Sequence, residues 1–449
     1  MKAWKWKVRW KAPQATESQR FLLLSILIGV FAGLLVVCFH IAIDYLYWIA
    51  LGPNRRGFFV TLLAPPLGAT VAAALVLLVF RAARGSAVNQ TKAAVHLNDG
   101  VIPFNAVAGK FLGCSISIGT GSSLGPEDPA LQMGAGIASL LGQRFRLSLE
   151  SMRMIAPVGA AAGIAAAFNT PITAVLFVME EIVAGWRSSV LGSILLSAVS
   201  ASVVVRGFLG DEPLFGVPPF RLKHPSELLV YAVIGAAGGV LSAFFIKLVF
   251  PLRNALAKLP EWSKFVQPGV AGVLVGMIGI TAPEVMGTGY VAIDSALHDQ
   301  FPWNVLLLLG LLKILATLVC FVAGIPGGLF APALFAGAMT GGGLGGLAML
   351  YWPFPTSPSS AYVLVGMGTF FAGLFRAPMS SIFMVFELSG SYVIMAPVMI
   401  ANTIAYLISR HFQPAGFFDL LAREEGLALP GGVPGEAPPE AGQAEDGRL

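Results

Sequence analysis

Six stretches of the chain, at 21–43, 58–80, 188–205, 228–250, 305–323 and 392–409, are almost unbroken runs of apolar residues. Each approaches or exceeds the ~20 residues that a helix needs to cross a hydrocarbon core. The runs are continuous rather than alternating, which argues against a β-barrel. Composition agrees: 56% of residues are hydrophobic and 11% charged, against about 25% charged in a soluble domain. The expectation is an all-α polytopic membrane protein.

The polar ends have simpler readings. "MKAWKWKVRWK" at the start is basic and interleaved with Trp. Pro13, Glu17 and Arg20 separate it from the first apolar run, and that run is too long for a signal peptide. Residues 1–17 therefore read as an uncleaved interfacial arm held on the cytoplasmic side by Lys and Arg. The net charge of +5 then reports membrane orientation, and nucleic acid is not an expected partner. Residues 424–449, rich in Pro, Gly, Ala and Glu, read as a disordered tail. Cys38, Cys114 and Cys320 are far apart in apolar surroundings and read as small core residues. The five His are scattered without metal-ligand spacing, so neither metal nor cofactor is expected. Lys110, Lys247 and Lys313 are lone cations in apolar stretches, read as snorkelling or ion-paired.

The chain also resembles itself. Gly125, Pro129, Ala130, Leu131, Gly134 and Ala135 match Gly328, Pro332, Ala333, Leu334, Gly337 and Ala338 at the same spacing. Further on, Gly159, Phe168, Pro171 and Glu180 match Gly366, Phe375, Pro378 and Glu387. Two blocks in the same order imply two related halves, about 21–207 and 228–410, joined by a polar loop around 210–224. Membrane transporters built from such repeats place their sites where broken helices of both halves meet.

Here the repeated element is a helix breaker followed by a helix. Pro is tolerated in the first helical turn, where its missing N–H would be unpaired anyway. Pro129 and Pro332 thus predict helix starts near Gly125 and Gly328. A helix start inside a membrane presents unpaired N–H groups and partial positive charge. Two such ends can hold an anion without a full charge, weakly enough to release it. Into one of them, "SLGPEDP" places Glu127 and Asp128. A carboxylate at membrane depth costs about 2.5–3.5 kcal/mol on insertion scales, which makes a purely decorative acid improbable.

At these residues the sequence resembles the CLC family of chloride channels and chloride/proton antiporters, of the prokaryotic type without CBS domains. The resemblance covers about residues 18–423. "GGLFAP" at 327–332 matches the family's G-G-I-F-A-P, and "AAAFNTPITAVLFVMEE" at 165–181 is equally close. "SLGPEDP" matches G-R-E-G-P at Gly125, Glu127 and Pro129, and "RGSAVNQ" is similar to G-S-G-I-P at Gly85 and Ser86. The resemblance implies a CLC-like inverted repeat and a homodimer with one anion pathway per subunit. It implies a multi-pass protein of the cell inner (plasma) membrane with both termini cytoplasmic. The partners it implies are chloride or a similar small anion, protons and the lipid bilayer.

By the same resemblance, Ser86, Gly328, Leu329 and Phe330 bind the anion, and Phe418 falls where the family has an anion-binding Tyr. Glu127 matches the external gating glutamate and Glu181 the internal proton acceptor. Pro126 and Asp128 are gate neighbours in place of Arg and Gly, and Ala87 and Asn89 replace Gly and Pro. Asp128 reads as a cap on its own helix, the alternative being a like charge that favours protonation of Glu127. The implied function is chloride/proton exchange rather than enzymatic catalysis. A passive anion channel is the alternative, and an intramembrane enzyme using Glu127 and Asp128 is a remote one.

Overall fold

A computed structural model describes residues 17–52, 57–183, 185, 188–211, 213–218 and 222–429. The expected basic arm, apart from its last residue, and the expected tail beyond residue 429 lie outside these.

The described chain is helical: α1 (Glu17–Ala50), α2 (Phe58–Leu78), α3 (Ala87–His96), α4 (Phe104–Gly119), α5 (Glu127–Arg144), α6 (Leu149–Arg153), α7 (Ile155–Phe168), α8 (Pro171–Phe177) and α9 (Ser188–Leu209) form the first part. The second comprises α10 (Glu227–Ala257), α11 (Ser263–Thr281), α12 (Tyr290–Leu297), α13 (Trp303–Val322), α14 (Phe330–Tyr351), α15 (Ser359–Phe375), α16 (Pro378–Ser389), α17 (Met395–Phe412) and α18 (Phe417–Glu424). Among the described residues, nine helical segments are long and apolar enough to cross a membrane. Six coincide with the apolar runs of the sequence. The other three, Leu149–Phe168, Ser263–Thr281 and Phe330–Tyr351, are interrupted or diluted by Gly, Ala, Pro and polar residues.

Small residues let the helices of each half approach. Gly134 of α5 lies against Gly159 and Gly163 of α7, so closely that a Cβ on Gly134 would strike the Gly159 carbonyl. Gly337 of α14 lies in the same way against Gly366 of α15. Where lipid is as apolar as any side chain, close backbone packing of this kind drives helix association. The helix breaks repeat too. α7 ends at Asn169 and α15 at Arg376, both left-handed, and Pro171 and Pro378 begin the next helices.

The two halves then exchange caps. Glu180 accepts from the Ser380 N–H at 3.0 Å and from its hydroxyl at 2.6 Å, at the start of α16. Glu387 accepts from the Ile172 and Thr173 N–H groups at 2.9 and 2.6 Å, at the start of α8. Each carboxylate satisfies first-turn donors that would otherwise be unpaired. The Glu180/Glu387 match in the sequence is thus a reciprocal structural device.

Two expectations are corrected. Cys38 is exposed on α1 rather than part of the core, whereas Cys114 and Cys320 are buried. Lys313 does not snorkel: it is fully buried and donates to the Val285 and Gly287 carbonyls at 2.9 and 2.7 Å.

Candidate functional site

α5 and α14 start where their halves meet. Gly125 and Gly328 exchange backbone hydrogen bonds of 2.8 and 2.7 Å, a two-residue antiparallel bridge just before each helix. The bridge sets the two helix starts side by side. Glu127, fully buried, lies across them: its Oε2 accepts from the Ala331 N–H of α14 at 3.2 Å. The Tyr290 hydroxyl, at the start of α12, donates to Oε1.

Three consecutive residues face three environments. Pro126 lines a pocket of about 430 Å³ together with Asp44, Thr288 and Tyr290. Glu127 is sealed in the protein. Asp128 lines a cavity of about 240 Å³ that also takes in Ser86, Lys110, Leu329, Phe330 and Phe418. Glu127 therefore lies in sequence between residues that line two separate spaces, seated on a helix-start N–H that would suit an anion.

Asp128 does not cap its own helix, contrary to the sequence reading. Its carboxyl faces the Ala87 and Val88 N–H groups at the start of α3 and the Lys110 ammonium of α4. The reason is spatial: the α3 start and Lys110 fold against the first turn of α5 and offer the carboxyl donors and a positive charge there. A Cβ on Gly328 would lie 2.7 Å from the Asp128 Cβ, so only glycine admits this approach.

α3 begins at Ser86, whose Oγ accepts from the Asn89 N–H at 3.3 Å as an N-cap. An oxygen used this way keeps its proton free to donate. The Ser86 N–H is occupied by Glu425 Oε1, at 2.6 Å. Burial raises the Glu425 carboxyl from the ordinary carboxylate range, against the opposing pull of the Ser86 N–H, Lys110, Arg253 and the Asn89 side chain. Lys110 itself donates to the Gly85 carbonyl at 2.8 Å. It is buried at the cavity wall rather than snorkelling to an interface.

Leu329 and Phe330 form the start of α14 on the cavity wall. The Phe330 ring packs with Phe168, Phe177, Phe371 and Phe375, leaving its backbone as the part that can meet an anion. The Phe418 ring stacks on Phe375 with centroids 5.2 Å apart, and its carbonyl accepts from the Asn89 side chain at 3.0 Å. Asn89 thus ties α18 to α3.

Glu181 lies apart from this cavity, on a π-helical turn, Val178–Ile182, at the end of α8. The wider turn lets neighbouring acids diverge: Glu180 caps α16 and Glu181 pairs with Lys92 of α3. Lys92 also lies 5.8 Å from the centre of the Phe418 ring.

Sequence reasoning missed Tyr290, Lys92 and Glu425. Lys92 carried a usable signal, six residues after Ser86 on the same helix. Tyr290 and Glu425 carried none, because they reach the site only through the fold.

The sequence pattern of the family described as voltage gated chloride channel matches residues 67–410. A ClcB-like chloride channel protein of Ralstonia nicotianae is 31% identical over 428 residues, covering 91% of this chain and 99% of its own. The H(+)/Cl(-) exchange transporter ClcA of Vibrio vulnificus is 30% identical over 398 residues, 85% of this chain and 84% of its own. Among solved structures, a slow cyanobacterial Cl-/H+ antiporter superposes with a TM-score of 0.83 at 24% identity, over 91% of this chain and 98% of its own. A CLC-type fluoride/proton antiporter does so with a TM-score of 0.75 at 22% identity, over 88% and 96%.

Proposed function

The chain belongs to the voltage-gated chloride channel (CLC) family, and we propose that it exchanges chloride for protons across the cell inner membrane. Working as a homodimer with a pathway in each subunit, it has both termini on the cytoplasmic side. The observation that carries this reading is Glu127: fully buried, seated on the Ala331 N–H, and flanked in sequence by Pro126, which lines one space, and Asp128, which lines another.

An ionised Glu127 competes with the anion for the same donors. Protonated, it loses that advantage and leaves, so each proton taken up clears the way for an anion. Ser86, Gly328, Leu329 and Phe330 provide the anion's path on the cavity side. Phe418 narrows that path with an apolar ring and no hydroxyl. Glu181 accepts protons from the cytoplasm; Lys92 stabilises its charged form and must be partly relaxed each time a proton arrives. Asp128 holds the α3 start and Lys110 in place beside the gate.

The test is simultaneous recording of chloride and proton flux from purified protein in liposomes. A chloride gradient should drive protons in the opposite direction to chloride. Chloride flux with no proton movement would overturn exchange in favour of a passive channel, for which the Lys92–Glu181 pair would then be the reason.

A further inference from the structure

We propose that Glu425 is a second tethered carboxylate of the transport pathway: from the end of α18 it occupies the anion position at the start of α3 and must be displaced before a small monovalent anion can bind there. The proposal rests on the reading of the Ser86 helix start as part of the anion path.

Four observations support it. First, Glu425 Oε1 takes the Ser86 N–H at 2.6 Å, while Oε2 is buried with no hydrogen-bond partner among the described residues. A carboxylate held only for structure would be expected to have both oxygens satisfied; this one is held through the Ser86 N–H and the Asn89 side chain and keeps one oxygen free, so it can leave. Second, the α3 start is shaped for it. Gly85 has a φ of +84, and a Cβ there would lie 2.9 Å from Glu425 Oε1.

Third, the same cavity contains an independent sign of an incomplete polar site. Asp128 is 9% exposed, faces the Ala87 and Val88 N–H groups, and has Oδ1 without a partner. Fourth, two cations stand in the cavity wall beside this position. Lys110 and Arg253 line the cavity with Asp128 and Glu425. Arg253 is shared with Glu424, at 2.9 Å, which anchors the end of α18 while leaving its neighbour Glu425 free to move. A halide that displaced the Glu425 carboxylate would take over the Ser86 N–H bond.

Glu425 and Glu127 thus do the same chemistry at two helix starts. Each competes with the substrate through a short tether, which gives the carboxylate a high local concentration and lowers apparent anion affinity. Glu127 is sealed and opens by accepting a proton. Glu425 is only partly buried and can swing into the cavity as an intact carboxylate.

Equilibrium chloride binding to the full-length purified protein, with bromide-soaked crystals to locate the anion, tests this. Glu425→Ala should tighten chloride binding about tenfold and place bromide at the Ser86 N–H. Glu425→Gln, which keeps a neutral acceptor, should tighten it by a smaller factor of about three, because neutral hydrogen bonds are about half as strong as charged ones. Ser86→Ala is the parallel control for the underlying reading. If Ser86→Ala weakens binding but neither Glu425 variant changes it, the Glu425 role is overturned and the anion path stands. If none of the three changes binding, the Ser86 site is wrong and Glu425 falls with it. Should Glu425→Ala fail to fold, as judged by size-exclusion and thermal melting, Glu425→Gln decides by the same readings.

Discussion

Place the two halves of the molecule against each other and the positions divide into two sets. Gly125 and Gly328 pair, the Gly134–Gly159 contact recurs as Gly337–Gly366, and Glu180 and Glu387 cap each other's helices. At other positions the halves part company. Glu127 stands opposite Phe330, Asp128 opposite Ala331 and Glu181 opposite Leu388. The shared set satisfies backbone and packing demands that arise identically in both halves. The unshared set carries Glu127, Asp128 and Glu181, which have no acidic counterpart in the other half, and each meets a helix start or a cation of another element. A duplicated scaffold needs its supports twice, whereas a single pathway needs its acids once.

The comparison breaks if an unshared acid behaves like a scaffold residue. Glu127→Gln should abolish proton movement while chloride flux persists, read in the two-ion liposome assay, because an amide cannot take up the proton that displaces it. Loss of both fluxes in a protein that still folds would make Glu127 a support rather than a gate. Glu181→Gln should slow proton movement about tenfold, equivalent to about 1.4 kcal/mol, and chloride movement less. An equal loss of both fluxes would return Glu181 to the structural set.

The comparison sharpens if the shared acids behave alike. Glu387→Ala frees the Ile172 and Thr173 N–H groups, and Glu180→Ala the Ser380 N–H and hydroxyl. Hydrogen bonds to a charged group contribute about 1.5–3 kcal/mol each, so both variants should lower the melting temperature in detergent by similar amounts. The chloride-to-proton ratio of the surviving protein should not change in either.

Much of this was legible in the sequence because it is local. A run of apolar residues longer than a bilayer is thick has few alternatives to a spanning helix. The Pro129 and Pro332 helix starts follow from the missing proline N–H. Three spans were not legible as runs: Ser263–Thr281 is diluted by Gly, Pro and polar residues although only 33% of it is buried, while Leu149–Phe168 and Phe330–Tyr351, the latter with six glycines after residue 336, are largely buried inside the protein. There small residues serve packing, and lowering the hydropathy costs nothing because lipid is not what they face. Asp128 shows the limit of local reasoning. Its place in the first turn of α5 suggested a cap on that helix, but its carboxyl faces the start of α3 and Lys110, which the fold brings within reach.

By itself the sequence determined that this is a duplicated membrane protein with helices that start inside it and an acid, Glu127, at one of those starts. Which donor each acid meets was decided by tertiary structure alone. Glu425 reaches the Ser86 N–H across 339 residues, Glu127 the Ala331 N–H across 204, and Glu181 Lys92 across 89. Unpaired N–H groups away from water must find an acceptor somewhere, but that demand is met through space. A carboxylate from any element that folds within reach can meet it, and no spacing along the chain says which one will.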